Sequence, residues 1–164
     1  KIMPGSGAAH ATASQIKFKF PKEFKNYYKF CIVRNPYERV ISDYYWRCKI
    51  TSGDNPSFIE YLNALKNGDN LNGFVPKIPD NWDIYTINNS IALDKVCFYE
   101  NLESDLKHVL CDQIGLNWDG WLPYAKTGQK TTNNSINNYG EKEKNLIKQI
   151  FFNEIETFNY KCYF

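Results

Sequence analysis

The sequence predicts an α/β fold in which a short parallel sheet is flanked by helices on both faces. Three observations carry that expectation. Two brief apolar runs, Tyr28–Val33 and Lys95–Tyr99, are each followed at once by a helix signal, and short apolar strands that feed helices belong to parallel sheets. Several other segments repeat apolar residues at helical spacing. The 164 residues, 43% hydrophobic and 16% aromatic, suffice for one core and divide poorly into two, so residues 1–164 read as a single domain.

The elements follow in chain order. Thr12-Ala13-Ser14-Gln15 fits a capping box, so a short helix starts there. The Tyr28–Val33 strand ends at Arg34, Asn35-Pro36 makes a turn, and a helix follows with Val40, Ile41, Tyr44 and Tyr45 inward. Asn55 as N-cap and Pro56 at the first helical position open another helix. Its apolar stripe is Phe58, Ile59, Leu62 and Leu65, and Gly68 ends it. Ile84–Ile87 is a weaker third strand. After Lys95–Tyr99, Asn101 precedes an amphipathic helix carrying Leu102, Leu106, Val109, Leu110 and Ile114, closed by Gly115. The Asn-rich stretch Thr131–Asn138 reads as a loop. A last helix runs from about Glu141 to Phe158, burying Leu146, Ile147, Ile150, Phe151, Ile155 and Phe158.

Composition excludes several classes of function. Twenty Lys and Arg against 18 Asp and Glu leave a formal charge of +2, too balanced to coat phosphate backbones, so no nucleic-acid partner is expected. Any anion must be caught by a local site. There is no apolar run long enough to span a membrane, and Lys1–Gly7 lacks the apolar core of a signal peptide. The five cysteines (Cys31, Cys48, Cys97, Cys111, Cys162) are an odd number without a Cys-x-x-Cys pair, and four lie in apolar stretches. They read as buried, reduced thiols in a cytoplasmic setting, not as a zinc site or a disulfide framework. The oligomeric state is not legible.

The segment from Phe30 to Trp46 carries the chemistry. Arg34 leaves a strand at the carboxyl edge of the sheet, where open α/β folds bind ligands, and Ser42 follows eight residues later. A guanidinium fork and a hydroxyl together suit a phosphate. The plainer alternative is that Arg34 caps the sheet edge by pairing with Glu38. Arg39 lies one turn before Asp43, so an i,i+4 ion pair is expected between them. Tyr44, Tyr45, Trp46, Trp118 and Trp121 either stack sugar rings or fill a core. His108 sits on the polar face of its helix as a solvated residue.

The run Val33-Arg34-Asn35-Pro36-Tyr37-Glu38-Arg39-Val40-Ile41-Ser42-Asp43-Tyr44-Tyr45 resembles the 3′-phosphate-binding segment of sulfotransferases. These enzymes take a sulfuryl group from 3′-phosphoadenosine 5′-phosphosulfate (PAPS). The likeness is to the carbohydrate sulfotransferases, including relatives of heparan sulfate 2-O-sulfotransferase. Further blocks match in order: His10-Ala11-Thr12-Ala13-Ser14-Gln15-Ile16, then Phe98-Tyr99-Glu100-Asn101-Leu102-Glu103-Ser104-Asp105-Leu106, then Leu122-Pro123 and Glu154–Tyr160. The resemblance implies that Arg34 and Ser42 hold the 3′-phosphate and that His10 deprotonates the acceptor hydroxyl, the alternative being a histidine that only caps a helix.

One departure stands out. The family opens with a strand and a lysine-bearing phosphate loop that holds the 5′-phosphosulfate, whereas only nine residues precede His10 here. Gly5, Ser6 and Gly7 read either as a relic of that loop or as part of a flexible N-terminus. Lys126, Thr127 and Lys130 read either as a second phosphate contact or as a solvated run. The expected function is sulfuryl transfer from PAPS, a co-substrate, to a hydroxyl of a carbohydrate, with an adenine nucleotide and a glycan as partners and no metal. The rival is a non-catalytic nucleotide- or glycan-binding module of the same fold.

Overall fold

Helix α1 (Ala13–Lys19) begins where the capping box places it: Thr12 Oγ1 accepts the Gln15 amide at 3.2 Å, and the Gln15 side chain accepts the Thr12 amide at 3.0 Å. The structure, a computed structural model, describes residues 11–76, 80–122 and 140–163. Gly5, Ser6, Gly7, His10, Lys126, Thr127 and Lys130, with the loop expected at Thr131–Asn138, lie outside the described residues. The chain separates into two compact units, Lys1–Val33 with Asn81–Trp118, and Arg34–Asp80 with Asp119–Phe164.

In the first unit, Pro21 opens a helix that periodicity did not announce, α2 (Pro21–Asn26); its fixed φ suits a first helical position, where no amide bond is lost. Strand β1 (Phe30–Val33) pairs with β4 (Lys95–Phe98) in parallel, Phe30 opposite Lys95 and Val33 opposite Phe98. The α/β class is therefore as expected. Two carboxylates pin that register. Asp94 accepts both the amide and the ammonium of Lys29 at 2.7 Å. Asp105, in α6 (Leu102–Lys107), accepts the Phe98 amide at 2.7 Å and pairs with Lys95 at 3.0 Å. Burial works against ionisation of Asp105, but the Phe98 amide and Lys95 win and hold its carboxyl below the usual range. The side-chain hydrogen bond from Lys29 does the same for Asp94.

Two expectations in this unit are corrected. Ile84–Ile87 is not a strand: Trp82–Tyr85 forms a single helical turn, α5, and only Thr86–Ile87 (β2) is extended, paired antiparallel with Ser90–Ile91 (β3). Asn88 and Asn89 between them sit at φ 51° and 59°. A two-residue hairpin loop of this kind needs positive φ twice, and Asn tolerates it best after Gly. Beyond α6, His108–Gln113 winds as a π-helix. The wider turn rotates the apolar stripe, so Val109 is buried while Ile114 is 40% exposed.

The second unit is helical. Helix α3 (Pro36–Ile50) and helix α4 (Phe58–Asn67) pack against α7 (Glu141–Ile150), which continues into α8 (Phe152–Phe158). The core joins Tyr37 and Val40 of α3, Tyr61, Leu62 and Leu65 of α4, Phe74 and Val75, and Ile147, Phe151 and Ile155. The N-cap of α4 is Ser57, not Asn55. Ser57-x-x-Glu60 completes a capping box in which Glu60 Oε2 accepts the Ser57 amide at 2.8 Å and its hydroxyl at 2.6 Å; two reciprocal bonds outcompete the single one that Asn55 offers. The expected helix from Glu141 to Phe158 breaks at Phe151 (φ −109°, ψ 30°). The cysteines are less buried than expected: only Cys97 is fully buried, and the other four are partly exposed.

Candidate functional site

Between the end of β1 and the start of α3 the chain turns within three residues, and Asn35 determines how. It is buried, its Oδ1 accepts the Tyr37 amide at 3.1 Å, and its carbonyl accepts the Glu38 and Arg39 amides at 3.0 and 2.9 Å. Its Nδ2 donates to the Lys161 carbonyl at 2.9 Å, tying the turn to the C-terminal segment. Pro36 has no amide to offer. The first-turn amides of α3 are thus satisfied within the chain, so an anion bound here must be held by side chains and not by the helix terminus.

Arg34 Nη2 lies 3.2 Å from Glu38 Oε2, with the two side chains 25% and 27% exposed. Ser42 is one helical turn beyond Glu38, on the same face of α3, and is exposed. The structure therefore brings Arg34 and Glu38 together at the entry to α3, with Ser42 one turn further along that helix. The pairing of Arg34 with Glu38, weighed from spacing alone, is present. The fork geometry of the guanidinium and the exposed hydroxyl remain what a phosphate requires.

Arg39 is corrected. It does not pair with Asp43; its Nη1 and Nη2 donate to Glu154 Oε1 and Oε2 at 3.0 and 2.6 Å, and its guanidinium stands 5.0 Å from the Phe151 ring centroid. The break at Phe151 sets ring and carboxylate for this contact. Asp43 is occupied otherwise, accepting Arg47 Nε and the Tyr61 hydroxyl at 2.6 Å each, while Arg47 Nη1 donates to the Phe74 carbonyl. Tyr44 is half-buried and packs against the core. Its ring lies 5.1–5.5 Å from Tyr45, Phe58 and Tyr61, and its hydroxyl donates to the Pro56 carbonyl at 2.8 Å.

Burial pushes Tyr44 up to about 12, assisted by Cys48, and raises Tyr37 and Tyr61 above their ordinary value. His108 pairs with Asp112 at 3.1 Å, its side chain 47% exposed. Among the described residues no cluster of three metal-ligating side chains occurs, and no helix is long and apolar enough to cross a membrane.

Sequence reasoning read Asn35-Pro36 as a turn but missed two contacts that hold this region. Asn35 had a legible signal, since Asn-Pro is an N-cap followed by a first-turn proline; its bond to Lys161 had none. Glu154 had no signal either, being 115 positions from Arg39.

The chain matches the model of the sulfotransferase family over residues 6–161, a span that includes the Arg34–Ser42 segment. An uncharacterized protein of Archaeoglobus fulgidus is 34% identical over 95 residues, which covers 58% of this chain and 73% of that protein. No solved structure matches the chain.

Proposed function

Because the chain belongs to the sulfotransferase family, we propose that it transfers a sulfuryl group from PAPS to a hydroxyl of a carbohydrate, Arg34 and Ser42 holding the 3′-phosphate of the nucleotide. The observation that supports this reading is the Asn35 turn, which sets Arg34 against Glu38 at the entry to α3 with the first-turn amides already occupied and Ser42 exposed further along the helix. The resemblance of four sequence blocks to the carbohydrate-acting members supports the acceptor class.

In the proposed reaction the acceptor oxygen attacks sulfur in line. The bond from sulfur to the bridging oxygen of the 5′-phosphate breaks, and adenosine 3′,5′-bisphosphate leaves with that oxygen. The acceptor proton passes to His10, an imidazole being the usual general base near pH 7. The amides of Gly5, Ser6 and Gly7, with Lys126 and Lys130, belong to this proposal as contacts to the nucleotide phosphates. Transfer of this kind depends on positioning and on neutralising charge at the bridging oxygen. A cytoplasmic protein without a metal and without a nucleic-acid partner completes the reading.

Calorimetric titration with adenosine 3′,5′-bisphosphate tests it. Arg34→Ala should weaken binding by about 1.5–3 kcal/mol, about ten- to a hundredfold, and Arg34→Lys should restore only part because the fork is lost. Unchanged affinity in Arg34→Ala removes the site assignment. A wild-type protein that binds the bisphosphate yet sulfates no member of a glycan panel is the binding module instead.

A further inference from the structure

Resting on the reading of Arg34 as the phosphate-holding group, we infer that Glu38 determines which anions this site admits, its carboxylate occupying the Arg34 guanidinium until a phosphate displaces it. Glu38, in the first turn of α3, lies between Arg34, which precedes the Asn35 N-cap, and Ser42, one turn further along the helix. Its Oε2, 3.2 Å from Arg34 Nη2, stands in for an anion oxygen: an anion that takes this guanidinium nitrogen has to displace the carboxylate.

The contact is built to be displaced. It is longer than the 2.6 and 3.0 Å bonds of the Arg39–Glu154 pair on the same helix, and each side chain keeps about a quarter of its exposure, so the carboxylate has a route to water. An ion pair with that much solvent contact shifts an equilibrium only a few-fold. A terminal phosphate brings close to two charges and several acceptor oxygens to the fork, and outcompetes a single carboxylate. A singly charged anion offers no more than Glu38 already supplies. Once displaced, the carboxylate still repels the bound anion, which acts in the same direction. Glu38 thus lowers the affinity for every ligand that uses Arg34 and leaves in place only those whose charge exceeds its own.

Titrations of the full chain with two probes, adenosine 3′,5′-bisphosphate and adenosine 5′-monophosphate, test the inference in wild type, Glu38→Gln, Glu38→Ala and Arg34→Ala. Glu38→Gln should tighten the bisphosphate about two- to tenfold and leave the monophosphate, which lacks the group Arg34 holds, unchanged. Glu38→Ala should show the same gain, so that a packing effect peculiar to one replacement is excluded. Equal tightening of both probes overturns the inference, since Glu38 would then act through the general field. Bisphosphate binding that stays the same or weakens in both Glu38 variants, while Arg34→Ala weakens it, overturns this inference alone and makes Glu38 a support for Arg34. Unchanged binding in Arg34→Ala overturns the underlying site assignment and this inference with it.

Discussion

Glu154→Gln removes one charge from a two-bond ion pair, and the structure sets what that should cost. The Glu154 side chain is 3% exposed and that of Arg39 is 20% exposed, with bonds of 2.6 and 3.0 Å between them. Removing one partner of a buried pair costs about 3–5 kcal/mol, because the remaining charge is stranded. Here the loss is moderated: Gln keeps one acceptor, Arg39 retains some solvent, and its contact with the Phe151 ring contributes about 0.5–1 kcal/mol. The expected destabilisation is about 2–3 kcal/mol. Urea unfolding followed by circular dichroism should then show a midpoint lower by about 1 M, for a slope of roughly 2 kcal/mol/M. The double variant Arg39→Met/Glu154→Leu should be more stable than Glu154→Leu alone, since no charge is left buried without its counterpart. Singles that cost under about 0.5 kcal/mol, or whose losses simply add in the double, would refute the reasoning.

Two further outcomes are expected. The folded-state carboxyl of Asp105 lies below its ordinary value, so its contribution is fully present above the unfolded value of about 3.9 and fades as pH falls through the folded one. Melting temperature should therefore drop below about pH 4 in the wild type, and Asp105→Asn should be less stable at neutral pH with a flatter acid limb; parallel curves would count against the Phe98 and Lys95 contacts. Asn35→Ala loses an N-cap bond and strands the Lys161 carbonyl, for a combined cost of about 2 kcal/mol. It should also weaken bisphosphate binding, because the turn that places Arg34 loosens; calorimetry and thermal unfolding on the same samples show whether both effects occur together.

Much of the fold was legible because its signals are short. The Thr12 capping box, the Gly68 stop of α4 and the strand-to-helix transition at Arg34-Asn35-Pro36 each depend on side chains bonding backbone within a few positions. Any chain with those residues meets the same geometry. The spacing that puts Ser42 one turn beyond Glu38 is likewise a property of helix pitch. Where two local signals competed, reading them was harder. Asn55-Pro56 and Ser57-x-x-Glu60 both announce a helix start, and the reciprocal pair prevailed. Asn88-Asn89 marks a hairpin, yet the apolar residues before it look like a strand of a larger sheet.

By itself, then, the sequence determined the class of fold, the turn that delivers Arg34, the face that carries Ser42 and the family to which the chain belongs. Tertiary structure alone decided the partner of Arg39, which turned from Asp43 to Glu154; the register of β1 against β4, held by Lys29 with Asp94 and Lys95 with Asp105; and the breaks at Phe151 and His108. The physical reason is range. Capping and helix periodicity act over three or four residues and can be read along the chain, whereas an ion pair across 115 positions forms only after packing has brought two helices together and taken water away from both charges.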